Sequence, residues 1–222
     1  MKAPSNMNKS YITFEASIHY YHHRSALENM HALLPCSRII WILRNPLSRA
    51  FSEYLHQAVK SKEYPTFEFV VKKEVEALRV CSKKEFVFES GFDNPLFRCL
   101  ERFKLKKYML STGFYAYFIH AWLEKFPVEQ HLFLDYERFK ADPEFVLRQI
   151  TNFLHIPYSP ILKPLWKYNK ANTNDGKAAK LRKQNMVLKK ELLNEVERYV
   201  GPHVEELYKT INEDFGWNLK ST

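Results

Sequence analysis

Residues 38–54 read RIIWILRNPLSRAFSEY, and several of them carry the chemistry to hold an anion. Arg44 closes a continuous apolar run of the kind found in a strand covered on both faces. Open α/β sheets bind ligands outside the carboxyl ends of their strands, so a guanidinium there is aimed at the ligand position. Asn45 suits a helix cap and Pro46 the first helical position, which predicts a helix over 46–60. The start of such a helix points N–H groups and a positive dipole at the same spot. Ser48 and Ser52, four apart on that helix, share a face and could add hydroxyl donors to a phosphate. The alternative is that Arg44 merely neutralises a strand end and Ser52 is a tolerated helix serine.

Alternating elements must position these groups. Residues 11–15 (YITFE) are β-branched and aromatic and read as a strand. Residues 24–34 space Ala26, Leu27, Met30, Leu33 and Leu34 as a helix does. With the buried run 38–43 and the helix after it, the succession predicts an α/β fold with a parallel sheet and right-handed crossovers. Further along, 66–80 reads as a helix and the stretch to 108 is mixed. Residues 113–125 predict an aromatic-rich helix ended by Pro127, 131–135 (HLFLD) a third strand, and 143–154 a helix opened by Asp142 and Pro143. Residues 164–183 read as loop. A long helical pattern then covers 186–211, with an interruption expected near Gly201 and Pro202. Without repeats or a Pro/Ser-rich linker, 1–222 reads as a single domain.

Composition narrows the classes. The chain has five glycines, Gly91, Gly113, Gly176, Gly201 and Gly216, too far apart to write GxGxxG or GxxxxGK[ST]. The net charge of +9 is uneven. Residues 163–190 hold nine basic groups against Asp175 alone, while the other 194 residues carry 25 basic and 24 acidic groups. A nearly neutral body with one cationic segment suggests a local anionic partner. No stretch approaches ~18 consecutive apolar residues and the first twenty residues have no apolar signal-peptide centre, so the chain as written reads as soluble. Cys36, Cys81 and Cys99 lack metal-ligand spacing, and no zinc site is expected. Either Cys81 and Cys99 are bridged, with Cys36 left in an apolar neighbourhood, or all three are reduced core cysteines.

The pattern R-[ND]-P-x-x-R-x-x-S-x-Y, filled by Arg44, Asn45, Pro46, Arg49, Ser52 and Tyr54, resembles the 3′-phosphate-binding motif of the Golgi carbohydrate sulfotransferases. Residues 111–157 follow that family's order G-x-Y-A, W-L, F-P, Q-x-x, Y-E, D-P and FL, and Phe215, Gly216 and Trp217 resemble its F-x-W-like ending. The resemblance covers roughly 11–217, and is similar in particular to N-acetylgalactosamine 4-sulfate 6-O-sulfotransferase and heparan sulfate sulfotransferases. It implies a P-loop-NTPase-like α/β fold, a three-layer parallel sheet flanked by helices. It also implies sulfuryl transfer from 3′-phosphoadenylyl sulfate (PAPS) to a hydroxyl of a glycosaminoglycan-type carbohydrate, with no metal. In that family the first arginine and the serine of the motif hold the 3′-phosphate, roles that map onto Arg44 and Ser52. A basic loop closes over the donor before the last helices, the position nearest Lys180, Arg182 and Lys183. A sulfated or acidic glycan is the implied acceptor.

Two departures shape the remaining expectations. The family's P-K-x-G-T-[ST] loop, which wraps the transferring group, has no counterpart before residue 11, so an amino-terminal truncation and weak or absent transferase activity are expected for the 222-residue chain. The glycine scarcity then reads as the mark of that missing loop. Where members often carry E-K-[ST]-P-x-Y, this chain has Glu15 to Tyr20 without the lysine. Glu15 is the candidate base at the strand end, with His19, His22 and His23 as alternatives suited by an imidazole pKa near ~6.5; each could equally serve the surface or packing. The resemblance implies a Golgi location with an upstream membrane anchor, and Asn8-Lys9-Ser10 is a possible sequon. The other class of reading is a non-catalytic module that binds 3′-phosphonucleotide or sulfated glycan through residues 163–190. No nucleic-acid partner is expected, since only Trp166 and Tyr168 supply aromatics there.

Overall fold

Two parallel strands form the sheet of the computed structural model, which describes residues 12–61, 63–82, 92–105, 107–159, 176, 180, 181 and 188–220. β1 (Ile39–Leu43) and β2 (His131–Asp135) pair in register, Ile39 opposite His131 and Leu43 opposite Asp135. Both strands match the expected runs, and their parallel pairing bears out the α/β expectation. The strand expected over 11–15 is a correction. Residues 12–15 are irregular, with Phe14 91% exposed, and Tyr11 lies outside the described residues. Strand propensity expresses packing on a pleated neighbour, and no described segment pairs with these residues.

A second correction concerns β1. Trp41 and Leu43 are buried, but Ile42 is 47% exposed, so the strand is covered on one face rather than two. On the buried face the Trp41 indole N–H donates to His131 Nδ1 at 2.9 Å, and His131 Nε2 lies 3.2 Å from the Phe126 carbonyl. Those partners assign the neutral tautomer with the proton on Nε2. Burial in turn lowers the His131 pKa, which keeps the ring uncharged.

Eight α-helices surround the strands among the described residues: α1 (Arg24–Leu33), α2 (Pro46–Lys60), α3 (Phe67–Cys81), α4 (Pro95–Glu101), α5 (Tyr115–Leu123), α6 (Tyr136–Ala141), α7 (Pro143–Leu154) and α8 (Lys190–Ile211). Caps explain most of their starts. Thr66 Oγ1 accepts from Phe69 N, Asn94 Oδ1 from Leu96 N, Asp135 Oδ2 from Arg138 N, and Asp142 Oδ1 from Phe145 N. Helices α4 and α6, seven and six residues long, are shorter than the two turns over which hydrophobic periodicity registers.

The predicted aromatic helix is α5, which starts at Tyr115 after a 3-10 turn at Ser111–Gly113. Seven of its nine residues are buried, because it lies between two cores. One core joins α2, α3, α4 and α8, with Tyr117 contributed by α5; the other joins α1, β1 and β2 to Tyr115, Ile119 and Trp122. Cys81 and Cys99 are bridged, tying the end of α3 to α4 across an 18-residue separation, a cross-link worth about 3 kcal/mol by loop closure. Cys36 is exposed, not set in the apolar neighbourhood expected for it.

The interruption expected near Gly201 and Pro202 does not occur, and α8 continues through both. Its buried stripe of Leu192, Val196, Val200, Val204 and Leu207 runs on either side of the proline, so tertiary packing outweighs the lost backbone bond. His203 lies in that stripe, stacked on Phe114 at 3.7 Å between ring centroids, and burial pushes its pKa down to about 3.

Among the described residues the deepest polar group is Glu74 of α3, fully buried. Its Oε2 accepts from Met109 N at 2.7 Å and Leu110 N at 2.9 Å, and its Oε1 from Ser111 N and Ser111 Oγ, both at 2.8 Å. Burial raises its pKa, with these four donors acting in the opposite direction. Downstream, Gly113 is pressed against α2: a Cβ there would meet Pro46 Cβ at 2.8 Å. Arg49 Nη2 donates to the Met109 carbonyl, so the turn and the start of α2 are fixed together.

Two outcomes follow for stability. Glu74→Ala leaves three buried amides without an acceptor and is expected to cost about 3 kcal/mol or more, while Glu74→Gln, which sets an NH2 against N–H donors, is expected to cost about 2. Urea denaturation measures both. For His203 the folded pKa is depressed, so the unfolded chain binds the extra proton between about 6.5 and 3 and stability falls as pH falls through that window. Relative to His203→Phe, the natural protein is expected to lose roughly 3 kcal/mol between pH 7 and 4, read from denaturation curves at each pH.

Candidate anion-binding site

Leu43 and Asp135 end the two strands side by side, and the segments that follow them form the site. Arg44 Nε donates to Glu137 Oε1 at 3.0 Å, its guanidinium lies over the Tyr136 ring at 4.7 Å, and its carbonyl accepts from the Tyr115 hydroxyl at 3.1 Å. Its side chain is 26% exposed, enough for a solute to reach it. The other Glu137 oxygen accepts from Lys140 Nζ at 3.0 Å. Burial disfavours the Glu137 anion, yet the Lys140 hydrogen bond and the Arg44 charge outweigh it and hold the carboxyl below its usual range.

Helix α2 starts here, but not with the free amides expected of it. Pro46 has no N–H, Leu47 N and Ser48 N donate to Asn45 Oδ1 at 3.0 and 3.2 Å, and Arg49 N donates to the Asn45 carbonyl at 2.8 Å. The cap that starts the helix consumes the donors that would have met an anion. What remains is the dipole and the side chains Arg44, Ser48 and Ser52. Ser48 is half-buried and Ser52 exposed, the latter about 9 Å further along the helix axis than Pro46. No bond joins Arg44 to Ser52 among the described residues. Arg49, the second arginine of the motif, is taken up by the Met109 carbonyl.

The chain's end folds over the same edge. Trp217 Nε1 donates to Asp135 Oδ1 and Trp217 N to the Tyr208 hydroxyl, each at 2.9 Å, and Asn45 Nδ2 donates to the Asn218 carbonyl at 3.1 Å. Gly216 takes φ +66°, which turns the chain so that Trp217 reaches the sheet. Burial pushes the Tyr208 phenol up to about 12.

The remaining expected residues are spread out. Glu15 is exposed and ends no strand; its Oε1 accepts from the Tyr20 hydroxyl at 3.1 Å. His19, also exposed, meets His22 ring to ring at 5.5 Å, and His22 meets His23 at 4.5 Å. His22 is pushed down to about 4 by burial first, then by the charges of His23, His19 and Arg49. Tyr21 anchors this group, donating from its hydroxyl to the Thr112 carbonyl at 2.8 Å while its own carbonyl accepts from Trp122 Nε1 at 3.1 Å. Lys180 is exposed in a helical turn whose next residue, Leu181, packs on the α2–α3–α8 core. Arg182 and Lys183 lie outside the described residues. Tyr136 and Glu137 were legible only as a motif match. The rule that singled out Arg44, a polar group just beyond a strand's carboxyl end, applies to them after β2 as well.

A parallel sheet with an arginine and a capped helix at its carboxyl edge defines an α/β protein. Residues 21–197 match the family described as the sulfotransferase domain. The chain belongs to that sulfotransferase family. It is 32% identical over 173 residues to human bifunctional heparan sulfate N-deacetylase/N-sulfotransferase 3, covering 78% of this chain and 17% of that protein. Mouse heparan sulfate glucosamine 3-O-sulfotransferase 3B1 is 24% identical over 222 aligned positions, covering 95% of this chain and 51% of the relative. The chain thus spans between about a sixth and a half of these relatives. Among solved structures, a sulfotransferase from Alicyclobacillus acidocaldarius has the same fold, with a TM-score of 0.59 at 24% identity over 90% of this chain and 64% of that one. The expected α/β sulfotransferase fold is borne out. No helix among the described residues is long and apolar enough to cross a membrane.

Because Asn45 both caps α2 and ties it to the chain's end, Asn45→Ala is expected to destabilise by about 1–2 kcal/mol and Asn45→Asp, which keeps the acceptor oxygens, by less. Thermal or urea unfolding of the two variants checks the order.

Proposed function

We propose that this chain is the sulfuryl-transfer domain of a PAPS-dependent carbohydrate sulfotransferase acting on a glycosaminoglycan of the heparan sulfate type. The observation that carries the reading is Arg44, held at the carboxyl edge of a parallel sheet directly before the dipole of α2. The residues present fit a phosphate group: a fixed guanidinium and a helix dipole, with Ser48 and Ser52 able to supply hydroxyls. PAPS, when bound, supplies an activated sulfuryl group. In this reading Arg44 and Ser52 hold the 3′-phosphate, and Lys180, Arg182 and Lys183 add positive charge around the donor.

Glu15 and His19 are the candidates to take the acceptor hydroxyl's proton. His22, with its pKa near 4, is too weak a base for that task at neutral pH. A sulfated or acidic glycan would be drawn by the cationic segment 163–190. The Cys81–Cys99 bridge suits an oxidising compartment and supports action in the Golgi lumen.

Calorimetric titration with adenosine 3′,5′-bisphosphate tests the assignment. Arg44→Ala removes a charge-assisted contact and is expected to weaken binding about 10- to 100-fold; unchanged affinity would sink the 3′-phosphate reading.

A further inference from the structure

Arg44 is bound in a way that leaves its working end open. Only Nε is used, by Glu137 at 3.0 Å, while the Tyr136 ring supports the guanidinium face at 4.7 Å. The two terminal nitrogens, which carry four of its five N–H donors and form the fork that matches a phosphate, have no partner among the described residues. Glu137 is itself immobilised. It is the second residue of α6, where a carboxylate suits the helix dipole, and its other oxygen is taken by Lys140 at 3.0 Å. Arg44, Glu137 and Lys140 together carry one net positive charge, so Lys140 offsets the carboxylate that orients the arginine.

We propose that Glu137 is a positioning residue for the anion-binding arginine: it fixes Arg44 through Nε with the terminal nitrogens presented at the sheet edge, and Lys140 offsets its charge. This rests on the 3′-phosphate reading of Arg44. A carboxylate that instead competed with the ligand would hold the fork, whereas here it holds the nitrogen behind it. Glu137 then sets how strongly the protein prefers a nucleotide bearing a 3′-phosphate over one without.

The test compares adenosine 3′,5′-bisphosphate with adenosine 5′-monophosphate on the 222-residue chain, its Arg44→Ala variant and three changes at Glu137. Glu137→Ala, which removes the acceptor, is expected to weaken bisphosphate binding about 10-fold and leave the monophosphate within about twofold. Glu137→Asp, which keeps the charge but withdraws it by one methylene, is expected to behave like Ala. Glu137→Gln keeps an acceptor oxygen for Nε and is expected to stay within about threefold of the natural protein. Tighter bisphosphate binding in Glu137→Ala, an unchanged preference, or equal loss for both ligands would each overturn the proposal, the last marking a merely structural role. If Arg44→Ala itself leaves the preference intact, it is the 3′-phosphate reading that fails. If Glu137→Ala does not fold, the contrast between Asp and Gln decides the question alone.

Discussion

The structure depends on one buried carboxylate. Glu74 lies beyond the reach of water, and burial of a charge is tolerated only where donors surround it. Three consecutive amides and a hydroxyl of the 109–111 turn do so. That fixes the turn, and the turn fixes the rest. Gly113 meets Pro46 with no room for a Cβ, Arg49 reaches the Met109 carbonyl, and Tyr115 at the start of α5 bonds the Arg44 carbonyl. A group in the middle of α3, bonded to the 109–111 turn, thereby sets where α2 begins relative to the sheet.

The sheet edge shows the same economy. Helix α2 could have met an anion with its own amides, as glycine-rich loops do, but Asn45 takes them. In the proposed reading recognition passes to side chains, and side chains need holding. The Tyr136 ring and Glu137 hold Arg44 from α6, while Asp135 holds Trp217 and Asn45 holds the Asn218 carbonyl. Each strand thus ends in a residue that organises the edge, Arg44 after β1 and Asp135 at the end of β2. The parallel register of the pair is what makes them neighbours.

Much of this was legible in the sequence, and what was not has physical reasons. The bounds of α2, β2 and α7 could be read because Pro after Asn or Asp, or a short apolar run between polar residues, is local information. Arg44 was legible because it adjoins such a boundary. Residues 11–15 misled because β-branched residues report fitness for a sheet, not the presence of a neighbour. Pro202 misled because the stripe that carries α8 across it is packing against distant helices. Glu74 gave no signal, since a glutamate inside a helical pattern looks like a solvated one until the turn 35 residues away is known to lie on it. The partners of Arg44 come from α5 and α6, more than 70 residues downstream.

Charge is divided between two tasks. Around the sheet edge, acids and bases nearly balance: Glu137 lies between Arg44 and Lys140, and Asp135 accepts from Trp217. A balanced cluster exerts little field beyond a Debye length of ~8 Å. In the proposed reading it would therefore select by geometry at contact rather than by attraction from afar. In the proposed reading the attraction resides elsewhere, in the nine basic groups that residues 163–190 set against one acid on an otherwise nearly neutral chain. Long-range attraction raises the local concentration of an anion without choosing among anions. In the proposed reading, discrimination falls to Arg44, whose guanidinium is held by Glu137 and the Tyr136 ring.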